Sequence, residues 1–248
     1  MSYNCISTYS IKKKNAVTPF FLAVILLLTG CSTTKPPLEP PPLLQPVTPP
    51  DLTAITRERF KEAKADWKRG AYEAIASKEG EIACSDTDEG CEGLHLITGH
   101  ACFRLPNYQC AANHLETGIK QTREWELDGI GLNRQKTYMN LLESLRSMQA
   151  TERGEALKKT SERLLNMTKA FIALEPKNPA GTFFLVSAQF AHTRAVGTKD
   201  PHRRCQELTG LLNDLQKAGA PSSIRYEIHY RQLLSDISGA QAAISGCP

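Results

Sequence analysis

Eight cysteines and six histidines are the residues of this 248-residue chain best suited to nucleophilic, redox or metal chemistry. Their spacing narrows the choice. His95, His100 and His114 are near neighbours in sequence, yet His95 and His100 stand five apart, whereas two ligands on one helical face want a separation of four. A buried or surface-polar histidine is expected at each. No C-x-x-C with histidine partners occurs, so the cysteines do not spell a zinc site. The run CSDTDEGC places Asp86, Asp88 and Glu89 in an order like the start of a calcium loop. Its glycine comes one place early and the distal Glu is missing, which leaves a solvated acidic turn. There is no G-x-S-x-G elbow, no H-E-x-x-H and no Walker loop, and the S-x-x-K from Ser32 to Lys35 falls among prolines where no rigid site can form. No catalytic residue, cofactor or metal is assigned, and the chain is read as a non-enzyme.

Cys31 has a different context. Lys12, Lys13 and Lys14 precede an apolar run, Ala16 to Leu28, in which only Thr18 and Pro19 are neither aliphatic nor aromatic. That run is short of the ~20 residues a spanning helix needs and has the anatomy of an export signal. The residues Leu28-Thr29-Gly30-Cys31 resemble the lipobox of bacterial lipoproteins. The resemblance implies cleavage before Cys31, a diacylglyceryl thioether on its sulfur and a palmitate-type acyl group on its amine. A cysteine is required because the thiolate is the nucleophile that takes the lipid. Several chains together anchor stably. Ser32, where an Asp would favour inner-membrane retention, implies the periplasmic face of a Gram-negative outer membrane; a Gram-positive surface fits the same residues.

Export bears on the other cysteines. Apart from Cys5 and Cys31 there remain Cys84, Cys91, Cys102, Cys110, Cys205 and Cys247, an even set for which disulfides are the default in an oxidising compartment. Six cysteines allow fifteen connectivities. The favoured set is Cys84 with Cys91, Cys102 with Cys110 and Cys205 with Cys247, because the first two pairs each span a short turn. The net charge of +4 falls to +1 once residues 1–30, with three Lys and no acid, are removed. No basic stripe remains, so nucleic acid is not an expected partner.

The elements that must position these residues divide the chain in three: 1–30 as the leader, 31–50 as lipidated Cys and tether, and 51–248 as one folded domain. Residues 32–50 hold eight prolines, which deny the backbone a helix or central strand. At ~3.1 Å per residue this polyproline-like tether reaches on the order of 60 Å. Beyond it, apolar residues recur at three and four and never alternate, which predicts an all-α domain. Helices are expected at 51–68, 72–83, 92–104, 107–121, 137–148, 152–174, 179–195, 203–218 and from Pro221 through Asp236.

In GHACFRLPNYQCAANHLETGIK, Gly99, Tyr108 and Ala111 fall at the small, aromatic and small positions of a tetratricopeptide repeat, which the stretch resembles. ADWKRGAYEAI around Gly70 and Tyr72, and the junction in ALEPKNPAGTFFLVSA, resemble other parts of the same repeat. His95 and Cys102 stand where the family prefers large apolar residues, and the later small position is Gly118. The resemblance implies antiparallel helix pairs in a right-handed superhelix, with a helical bundle as the alternative. Trp125 and Tyr138 are the candidate binding-surface residues. The implied role is a membrane-anchored scaffold or assembly factor that engages an envelope protein of a secretion, pilus or transport machine. The alternative is a periplasmic small-molecule-binding component of a transport system, with Phe184 joining the two aromatics.

Overall fold

The computed structural model describes residues 51–122 and 130–247 of the chain. Among them are nine α-helices, one 3-10 turn and no strand. The domain is all-α. The leader, Cys31, the tether and Trp125 lie outside the described residues.

Helix α1 (Leu52–Arg69) starts where the Asp51 carboxylate accepts from the Ala54 amide at 3.2 Å, and stops at Gly70, whose φ of 72° suits a residue without a Cβ. Helix α2 (Tyr72–Ala76) is much shorter than the 72–83 expected. Ser77 turns its hydroxyl back onto the Ala74 carbonyl, and Glu79–Glu81 winds into a 3-10 turn around Gly80, a weak helix former. The change of direction brings Cys84 to Cys91 at the start of α3 (Cys91–Arg104), with 5.8 Å between their Cα atoms. A helix continued to Ala83 would carry Cys84 away from that partner.

Helix α4 (Tyr108–Gln121) is capped by Asn107, α5 (Arg134–Thr151) by Asn133, and α7 (Pro179–Val196) by Asn178. Helix α6 (Gly154–Leu174) lies between the last two. Helix α8 (Pro201–Ala218) begins two residues before the expected start, because Asp200 accepts from the amides of His202 and Arg203 and Pro201 takes the first helical position. Helix α9 (Ile224–Ala242) begins three residues after Pro221 and runs six past Asp236, since Ile237 continues its buried face.

Consecutive helices pack against one another, and the odd-numbered ones also touch in succession: α1 on α3, α3 on α5, α5 on α7, α7 on α9. The α3–α4 pair shows how the sequence permits close approach. A Cβ on Gly99 would stand 2.6 Å from Leu115 Cγ, and one on Gly118 would stand 2.5 Å from Leu96 Cδ2. Each helix seats its leucine on the glycine of the other. One hydrophobic cluster joins α1, α2 and α3 through Ala63, Ile75, Leu94 and Ile97; a larger one runs from α3 to α9 and includes Leu115, Leu142, Phe171, Phe184 and Ile237.

Three disulfides fix the turns: Cys84–Cys91, Cys102–Cys110 and Cys205–Cys247. This is the favoured set. The third joins α8 to the residues that follow α9.

Candidate functional site

The helix order that stacks α5, α7 and α9 side by side leaves a cleft of about 260 Å³ along them. Its floor is apolar. Phe183, Phe190 and Ala191 of α7 and Leu233 of α9 are buried there, held by the same inward phase that builds the core. Its walls are polar, with Arg146 and Gln149 from α5, Arg194 from α7, and His229, Gln232 and Asp236 from α9. A second cleft of about 330 Å³ adjoins it, sharing Phe190, Arg194 and Asp236 and adding Arg204 of α8. Together they form one groove.

Each polar wall residue has a physical reason for its place. Glu143 is only 1 % exposed, inside the apolar run Leu141, Leu142, Leu145, and it accepts from Arg146 Nε and Nη2 at 2.9 and 2.8 Å. His229 Nε2 lies 3.6 Å from the same carboxylate. A buried carboxylate is tolerable only with such partners, and here it ties α5 to α9. Gln149 donates to Ser161 of α6 at 3.0 Å, and Asp236 accepts from Gln232 at 2.8 Å. The Arg194 guanidinium rests over the Phe190 ring, 5.9 Å from its centroid. The Nε of Arg204 is buried and has no hydrogen-bond partner among the described residues.

Away from the groove, three histidines of α3 and α4 form two structural arrangements. His100 is buried between α3 and α5. Asn140 Nδ2 donates to its Nδ1 at 2.9 Å, so Nε2 carries the proton and donates to Thr137 Oγ1 at 3.0 Å. Burial, helped by the charges of Lys136 and Arg104, lowers its pKa to about 3. His95 and His114 meet across α3 and α4 with their Nδ1 atoms 2.8 Å apart, one donating to the other. Burial is the main cause that lowers His95 to about 4, and it lowers His114 as well. The separation of 19 residues concealed this pair; only the antiparallel packing of α3 on α4 brings it together.

Among the described residues two side-chain groups have the proximity that metal binding needs: Cys84, Cys91 and His95, and Glu79, Cys102 and Cys110. In both, the cysteines are joined as disulfides, which withdraws the thiolates a soft ion would take. The acidic turn at Asp86–Glu89 is closed by the Cys84–Cys91 bond as expected, and Asp88 accepts from the Ser85 amide at 2.7 Å and from Thr53 Oγ1 at 3.1 Å.

Tyr138 is not a surface residue. The phase that buries Leu141, Leu142 and Leu145 also turns Tyr138 inward, to 6 % exposure and ring contact with Phe171 at 6.0 Å; burial raises its pKa. Phe184 is fully buried too. The residues that do line the groove, Arg146, Arg194, Arg204 and His229, belong to no motif. The one sequence signal was Glu143 within an apolar run, a carboxylate that must have found a cation. No protein-family model, no curated protein and no solved structure matches the chain.

Proposed function

We propose that the chain is a lipid-anchored scaffold of the bacterial envelope, in which a tetratricopeptide-like stack of helix pairs binds a segment of a partner protein. The observation that carries this reading is the groove along α5, α7 and α9, with its apolar floor and polar walls. Stacked helix pairs whose alternate members touch offer an extended face for a peptide or helix, the usual service of repeat arrays. The anchor is the part of the reading supplied by Leu28-Thr29-Gly30-Cys31 and its leader, and three disulfides suit an oxidising compartment. No described helix is long and apolar enough to cross a membrane; in this reading the lipid is the attachment. The small-molecule reading is less favoured: ligand chambers run to ~300–1,000 Å³ with most of the ligand enclosed. The clefts of about 260 and 330 Å³ come near that size but form an open groove, and the enclosed recess between α1, α2 and α3, lined by Ala63, Ile75 and Leu94, has only about 30 Å³.

The test is photo-crosslinking in cells, with the crosslinker at Gln232 in the groove and at Lys159 or Arg57 elsewhere, followed by mass spectrometry. One envelope protein recovered in quantity supports the scaffold. If no protein is enriched from any of the three positions, the scaffold reading fails.

A further inference from the structure

Arginines over most of the domain surface are paired: Arg57 with Glu89, Arg59 with Glu81, Arg163 with Glu116, Arg231 with Glu227. Arg194 and Arg204 have no such partner; Arg104, over the Tyr72 ring, and Arg153, on neighbouring carbonyls, have none either, and of these four Arg194 and Arg204 are the two that line the groove. Neither has a carboxylate within ion-pair distance among the described residues. Asp236 shares the wall with them and accepts from Gln232 at 2.8 Å, so the two guanidiniums and this carboxylate leave that stretch with a net charge of +1. The Arg204 Nε is enclosed and unbonded, so an incoming carboxylate meets this residue at the end of its guanidinium fork. Arg194 is held over Phe190, which limits where its fork can point before anything binds. At the far end, Arg146 is fixed by Glu143.

From this arrangement we infer that the groove is built for an acidic, amphipathic segment of a partner protein. Its carboxylates meet Arg194 and Arg204 while its apolar side chains lie on the edges that Phe190 and Leu233 leave uncovered. The inference rests on the scaffold reading above and adds the chemistry of the partner. A guanidinium matches a carboxylate with two parallel hydrogen bonds, and such charge-assisted pairs are the strong ones where water is partly excluded. An apolar floor alone would accept any greasy helix; two unpaired guanidiniums on its rim select for acid and against base. The two clefts share Phe190, Arg194 and Asp236, so a segment lying along one passes into the other.

The experiment uses the full chain in nonionic detergent with its disulfides intact. The probes are a fluorescein-labelled peptide of alternating Glu and Leu and the same peptide with Gln for Glu, read by anisotropy. The Glu peptide binds at least about tenfold tighter than the Gln peptide, in line with charge-assisted pairing, and added salt narrows the gap. Arg194→Gln and Arg204→Gln each weaken the Glu peptide by about fivefold or more, the double variant binds both peptides alike, and Arg231→Gln, whose partner is on its own helix, changes nothing. Circular dichroism verifies that each variant keeps its helices, and Arg204→Lys, which keeps the charge but not the fork, gives a second reading if Arg204→Gln does not fold. Equal affinity for the two peptides, no binding of either, or a folded double variant with wild-type affinity would overturn the inference. Crosslinks formed only outside the groove would sink it as well, yet leave the scaffold standing.

Discussion

At Gly99 the absence of one methyl group decides whether α3 and α4 can meet, since a Cβ there would also stand 2.8 Å from the Leu115 backbone nitrogen, which has no room to yield. Gly99→Ala therefore destabilises the domain by about 1–3 kcal/mol, the usual cost of overpacking. Gly210, on α8 with nothing within 4 Å of its would-be Cβ, is the contrast: Gly210→Ala is neutral or gains about 0.5–1 kcal/mol. Thermal melts of the two variants read the difference. His100 gives a second prediction at this scale. Its folded pKa of about 3 lies below the ordinary 6.5, so the unfolded chain binds the proton first. The stability it supports is complete above pH 6.5 and falls as the pH drops toward 3, by up to about 1.4 kcal/mol per unit. Urea unfolding at pH 7, 6 and 5 should show a slope to which His95 and His114 contribute in the same direction, reduced by up to His100's share in His100→Asn; an equal slope in the variant would remove His100 as a source. Gly99 was readable as a small position because close helix packing restricts residue type. Tyr138 was misread because an aromatic with a polar tip suits a core and a surface equally well.

Helix starts were legible wherever a side chain caps them. Asp51, Asn107 and Asn178 each accept from an amide two or three residues on, and α1, α4 and α7 begin as the sequence indicates. The Asp200-Pro201 signal of the same kind was passed over, and α8 was placed late for that reason. Helix ends were harder where no glycine in a left-handed turn stops the chain. The 77–83 segment has good helix formers, but the Cys84–Cys91 bond constrains where it must go, and a cross-link is not a local property of its residues. The disulfides also give the prediction proper to this scale. The Cys205–Cys247 bond closes a loop with a sequence separation of 42, which the chain-entropy model values at about 4 kcal/mol, against roughly 2–3 kcal/mol for each of the short loops. Cys205→Ala with Cys247→Ala should lower the thermal midpoint more than Cys84→Ala with Cys91→Ala does, and speed amide exchange in the last turns of α9. The reverse order would mean that loop entropy does not govern these bonds.

For the molecule as a whole, composition and periodicity gave the all-α class, whereas the groove was hidden because Arg146, Arg194, Arg204 and His229 come from four helices and converge only through the order of packing. Attachment is the property to test at this scale. Cys31→Ala leaves no sulfur to carry the lipid, and the variant should move from the membrane pellet to the soluble fraction; the same distribution as wild type would remove the anchor. Were the chain anchored at Cys31 as proposed, its mechanical load would arrive at the N-terminal side of the domain. A pull applied at Asp51 enters through α1, the end of the stack farthest in sequence from the groove, and peels from that side. At the opposite end, Cys205–Cys247 locks away the contour length of 42 residues, about 150 Å when fully drawn out. Stretched in an optical trap from Asp51 and the C terminus, the oxidised chain should stop short by that amount, plus smaller steps for the two short loops, and recover it when reductant is added.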